Sequence, residues 1–132
     1  MIIAVDTNIL VRVILEDDPE QGQRAQRELA EADQVIVPTH VLCEVVWLLS
    51  RSYGYPHADI IAVLRTILAI RTIRVDQGAI AAGLAMLEAG GDFADGVIAH
   101  MGLAAGADMF VSFDRKAVRL LARQGIPARL PA

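Results

Sequence analysis

The stretch MIIAVDTNIL, Met1 to Leu10, decides how the rest of the chain is read. Met1 to Val5 is apolar and non-alternating, which predicts a short strand buried on both faces. Asp6, Thr7 and Asn8 follow, residue types that stop a strand and start a helix. An acid therefore sits where the first strand hands over to the first helix. In open α/β sheets that is the end of the strand where sites are built.

The same order, strand then helix, repeats outward from this stretch. Asp17-Asp18-Pro19-Glu20 breaks the first helix and starts a second, with Pro19 at its first position and an exposed amphipathic run from Glu20 to Ala32. Gln34 to Val37 reads as a strand stopped by Pro38, and Thr39 as the cap of a helix from His40 to Ser52. Pro56 opens a fourth helix to about Ile70, and Thr72 to Val75 is a third strand. Asp76 caps a helix to Ala89, closed by Gly90-Gly91, and Phe93 to Ala105 is the next, closed by Gly106. Met109 to Ser112 is a fourth strand, Asp114 to Gln124 a last helix, and Ala128 to Leu130 a short final strand. Short apolar strands alternating with helices predict a three-layer α/β/α domain with a short, mainly parallel central sheet.

Composition sets the bounds. A chain of 132 residues fits one domain, residues 1–132. Apolar residues make up 55% and aromatic ones 5%, so the core is aliphatic and intrinsic disorder is excluded. No apolar run reaches the roughly 20 residues of a membrane span, and no basic segment precedes an apolar one at the start, so neither membrane nor secretion is expected. Cys43 stands alone, which excludes an internal disulfide and fits a small core residue in the cytoplasm. The net charge of −4 argues against a simple nucleic-acid binder working through a basic surface.

The acids carry the rest. Asp6 ends the first strand, and Asp114 lies two residues beyond the fourth, so parallel central strands put both at one edge of the sheet. Asp92 and Asp95 open the sixth helix, and Glu44 interrupts the apolar run VLCEVVWLL, Val41 to Leu49. Each has a local reading as well: the aspartates as helix caps, Glu44 on a solvated face. Two like charges about 6 Å apart at an effective dielectric near 20 repel by roughly 3 kcal/mol. Four converging carboxylates would thus cost much of the ~5–15 kcal/mol that holds a domain together. Only protons or cations relieve that, and oxygen donors without His or Cys partners select hard cations, Mg²⁺ or Mn²⁺. Setting four acids aside from the 16 balances the remainder against the 12 basic residues, so the surplus negative charge can be assigned to a metal site.

VDTNILVR (Val5 to Arg12), VLCEVVWLL (Val41 to Leu49), GDFADGVIAH (Gly91 to His100) and FVSFDRKA (Phe110 to Ala117) together resemble the PIN-domain family, most of all the VapC-type toxins of toxin–antitoxin pairs. The resemblance covers essentially the whole chain. It implies that Asp6, Glu44, Asp95 and Asp114 are the catalytic, metal-holding acids, supported by Asn8, Asp92 and Ser112. Two positions depart from the family pattern: Gly96, where a larger residue is common, and His100, where a small one is.

The implied activity is metal-dependent endoribonuclease: water activated by one or two Mg²⁺ or Mn²⁺ ions attacks phosphorus in line, leaving a 5′-phosphate and a 3′-hydroxyl. Arg12, His40, Arg115 and Lys116 are candidate RNA contacts, each equally readable as a solvated surface residue. Trp47, Tyr53 and Tyr55 are candidate base-stacking groups, although packing in the core or at a partner interface is the expectation for Trp47. The implied partners are RNA, a small VapB-like antitoxin and a second copy of the chain.

Other classes fit less well. A PIN nuclease of RNA processing without an antitoxin has the same residues. A Mg²⁺-binding receiver-like signalling module wants an acidic pair after its first strand, where this chain has Asp6-Thr7-Asn8. A haloacid-dehalogenase-type phosphatase wants an acid where Asn8 stands. A degenerate, non-catalytic domain would not keep all four matching acids.

Overall fold

The computed structural model describes residues 1–132. Seven helices alternate with five short strands, the α/β architecture expected. The chain forms two compact units, residues 1–76 and 77–132.

In the first unit, β1 (Ile2–Ala4), β2 (Gln34–Ile36) and β3 (Ile73–Arg74) form a parallel sheet in that order. Ile3 pairs with Val35, and Val35 with Ile73. Between the strands run α1 (Thr7–Leu15), α2 (Pro19–Glu31), α3 (Thr39–Arg51) and α4 (His57–Leu68). Asp18 caps α2 by accepting from the Gln21 amide at 3.1 Å, and Pro19 opens it. The core is aliphatic, as composition required: Leu10, Val35, Leu42, Val45, Leu49 and Leu64 are fully buried.

Two local expectations are corrected here. The first strand is shorter than Met1 to Val5 and is not buried on both faces: β1 is the outer strand of its sheet, and Ile2 is 59% exposed. Thr39 does not cap α3; it is the first helical residue, and Pro38 precedes it with no side-chain cap bond. The Pro38 carbonyl instead accepts from the Val41 amide at 3.0 Å. Proline has its φ already fixed and has no N–H to satisfy, so it can lead into a helix without a side-chain cap.

In the second unit, α5 (Gln77–Glu88) and α6 (Phe93–Ala104) lie in close contact, followed by β4 (Phe110–Val111), α7 (Arg115–Arg123) and β5 (Ala128–Arg129). β4 and β5 pair in parallel. Met86, Ala99, Ala117, Leu120 and Leu121 form the core, with Phe110 and Ile126 packed against it. Glycines set the approach of α5 to α6. A methyl at Gly83 would overlap the ring of Phe93, and one at Gly96 would overlap the Ala82 carbonyl oxygen. That contact is a physical reason for a glycine directly after Asp95 in this chain.

Gly96→Ala should therefore cost about 1–3 kcal/mol, the usual penalty for overpacking. Urea unfolding followed by circular dichroism will show the lower midpoint. Gly102→Ala on the same helix meets no atom within 4 Å, so it should be neutral or stabilising.

Candidate functional site

Asp6 sits directly after β1 and caps α1: its Oδ1 accepts from the Ile9 amide at 3.2 Å. Thr7, the first residue of α1, donates its hydroxyl to Oε2 of Glu44 at 2.7 Å. This hydrogen bond ties the β1–α1 turn to the middle of α3. Glu44 is exposed on α3, while Val41, Leu42, Val45, Val46 and Leu49 on the opposite face are buried. An acid inside that apolar sequence thus keeps its solvent and gains one neutral donor.

In the second unit, Asp92 caps α6 through the Ala94 amide at 3.0 Å. Asp95 lies in the first turn of α6, where the helix N-terminus favours negative charge. Asp114 caps α7 by accepting from the Ala117 amide at 3.0 Å. Its own amide donates to the Ser112 hydroxyl, also at 3.0 Å. Ser112 therefore shapes the turn that presents Asp114.

The three capping acids each use Oδ1 for the cap. A cap occupies one oxygen of a carboxylate that has two. The local reading and the ligand reading of Asp6, Asp92 and Asp114 are compatible for that reason.

Asp95 is half-buried, and its carboxyl is raised above its ordinary 3.8 first by burial, then by the negative charges of Asp92 and Asp114. Asp92 and Asp114 both lie within electrostatic reach of Asp95. None of Asp6, Glu44, Asp92, Asp95 and Asp114 forms an ion pair, whereas the N-terminal ammonium pairs with Asp33 and Arg12 with Asp17. Within neither unit do three carboxylate, imidazole or thiol groups stand together as a closed metal cage.

The candidate RNA contacts are less uniform. His40, Arg115 and Lys116 are exposed, in the first turns of α3 and α7. Arg12 is half-buried and donates from Nη1 to Asp17 at 2.9 Å, while its Nε has no partner. With exposed Asn8 and Arg24 it lines a cavity of about 490 Å³ between α1 and α2. Trp47 is 57% exposed, so packing in the core is overturned for it. Thr7 is the contributor that sequence reasoning missed. Its signal was available: a hydroxyl beside Asp6, and a glutamate elsewhere in need of a donor.

Residues 3–122 match the PIN domain family, and the chain belongs to that family. No curated protein matches the chain. Among solved structures it is similar to the crystal structure of VapBC2 from Rickettsia felis bound to a DNA fragment from their promoter. Identity is 17%, with 98% of each chain covered and a TM-score of 0.41. A likeness at that level carries no argument here. PIN domains are nucleases, and they generally use divalent metal ions.

The raised carboxyl of Asp95 has a pH consequence. The folded chain keeps that proton where the unfolded chain has released it, so the stability gained is full below pH 3.8 and lost as pH rises through the raised value. Above that value, without divalent cations, the ionised group is a burden on the fold. Asp95→Asn in EDTA should raise Tm at pH 7 by about 1–3 °C, a modest gain because the group is partly solvated. The gain should shrink to nothing near about pH 2, where the carboxyl is protonated in both the folded and the unfolded chain. Thermal melts at the two pH values check this.

Proposed function

We propose that this PIN-domain chain is a divalent-metal-dependent endoribonuclease of the VapC type, the toxin of a toxin–antitoxin pair acting on cytoplasmic RNA. One observation carries the reading: none of Asp6, Glu44, Asp92, Asp95 and Asp114 has a cationic partner, and Asp95 is disfavoured as an anion by burial and by Asp92 and Asp114. A divalent cation relieves that cost, and an all-oxygen donor set favours Mg²⁺ or Mn²⁺.

Asp6, Glu44, Asp95 and Asp114 supply the ligand oxygens in this reading, and Asn8 and Asp92 support them. When bound, the ion lowers the pKa of a water and offsets charge developing on the phosphate oxygens. The chain's own residues set the geometry. The Ile9 amide fixes the rotamer of Asp6 by holding Oδ1. The Thr7 hydroxyl fixes Glu44 through Oε2, leaving Oε1 outside that bond. Ser112 accepts from the Asp114 amide and so holds the turn from which that carboxylate projects. Arg115 and Lys116, in the turn after Asp114, and His40, one turn before Glu44, offer cationic or donor groups to the RNA phosphates. Arg12 offers less, since Asp17 already engages it. Water as nucleophile leaves a 5′-phosphate and a 3′-hydroxyl.

The partners follow the same reading: a small VapB-like antitoxin and a second copy of the chain. Exposed apolar side chains support it. Ile2, Ile36, Ile98, Met101 and Val111 are exposed, and Phe113, beside Asp114, is 86% so. Exposed large apolar side chains of this kind are what an antitoxin or a second copy would cover.

Purified chain, freed of any inhibitor, should cut total RNA with Mg²⁺ or Mn²⁺ and not with EDTA. Asp6→Asn and Asp95→Asn should each lose at least about 100-fold, the scale of a lost electrostatic contact to the reacting group. Wild-type protein inactive with either metal overturns the enzyme reading. Variants as active as wild type place the activity elsewhere.

A further inference from the structure

The outer face of α3 carries a second feature besides Glu44. His40, Glu44, Trp47 and Arg51 are all exposed. At 100° per residue they fall within an arc of about 60°, and they span about 16 Å along the axis. The buried residues Val41, Leu42, Val45, Val46 and Leu49 occupy the other side. Trp47 stands one turn beyond Glu44 and is 57% exposed, although it is the largest apolar side chain in the sequence. Leaving an indole in water gives up favourable burial, and its own stripe holds no other apolar group to pack on.

A protein-docking face would surround such an anchor with apolar neighbours. The exposed groups that share its stripe of α3 are instead a carboxylate, an imidazole and a guanidinium. A flat π-surface next to cationic and donor groups is the composition that holds single-stranded nucleic acid, bases on the ring and phosphates on the cations. We propose that Trp47 is a base-stacking platform for single-stranded RNA. It seats the nucleotide beside the phosphate that Glu44 helps to process, with Arg51 meeting the next phosphate along the strand. This rests on the endoribonuclease reading and adds to it a substrate-binding residue and a requirement for an unpaired base at that position.

Trp47 is the only tryptophan, so intrinsic fluorescence reports this position alone. The full chain is titrated in EDTA, where no cleavage intervenes, with a single-stranded octaribonucleotide carrying a terminal dye. Saturable quenching of the indole is expected, together with a rise in dye anisotropy. Trp47→Phe should bind within about 3-fold of wild type, because the ring is kept. Trp47→Leu and Trp47→Ala should bind about 5- to 150-fold more weakly, the range for loss of one stacked base. With Mn²⁺ restored, the same variants should raise KM by a similar factor and change kcat less. A double-stranded form of the octamer should not quench.

Unchanged indole emission on adding the octamer overturns the proposal, as does Trp47→Leu binding like wild type. So does an emission shift that follows protein concentration alone, with Trp47→Ala dissociating an oligomer in sedimentation and binding RNA normally; the face is then a protein interface. Melts of each variant confirm that the fold is intact. Failure of the nuclease reading shows separately, as wild-type protein that does not cut with either metal.

Discussion

The hydrogen bond from Thr7 to Glu44 is the constraint on which the candidate chemistry turns. It joins the end of β1 to the middle of α3, elements 37 residues apart in sequence. A glutamate has several rotatable bonds and, free in solvent, would sample many positions. One neutral donor removes much of that freedom without neutralising the charge. An arginine in the place of Thr7 would hold Glu44 just as firmly and cancel the negative potential a cation needs. The hydroxyl orients Glu44 and leaves its charge available.

The aspartates follow the same logic through a different device. Asp6, Asp92 and Asp114 are each fixed by a backbone amide of the helix they begin. Capping is a local matter, set by residues two or three positions away. It therefore survives in a small chain with little packing to spare. Asp95 has no such bond and is instead held by its place in the first turn of α6, where burial and two neighbouring charges act on it. A site made of caps requires few long-range contacts to build each part.

That locality explains what could be read from the sequence. The alternation of strand and helix was legible because short apolar runs bounded by Asp, Pro and Gly leave little choice, and every expected element is present. Asp6, Asp92 and Asp114 were legible as helix starts because cap chemistry is written within three residues. Glu44 stands out in its apolar run, but its pairing with Thr7 is harder to read: a hydroxyl beside Asp6 is a cue, yet Thr7 lies 37 residues away and looks like an ordinary helix opener. The burial of β1 was misjudged because an apolar run does not say how many neighbours its strand has. For Trp47 the core half of the expectation fails for a related reason. An aromatic inside an apolar helix looks like core until the helical phase is set against the buried residues Val45, Val46 and Leu49, which point elsewhere.

The glycine contacts between α5 and α6 reach beyond packing. Where Gly83 meets the Phe93 ring and Gly96 meets the Ala82 carbonyl oxygen, with the Met86 side chain beside it, the two helices are in direct contact. At Gly96 the contact is main chain against main chain, which has no rotamers of its own through which to shift. Asp95 is the residue immediately before one of these contacts, so its Cα is anchored by main-chain geometry rather than by an adjustable side chain. The half-buried carboxylate thus inherits little positional entropy from its scaffold, and a ligand that captures it has correspondingly little disorder to suppress.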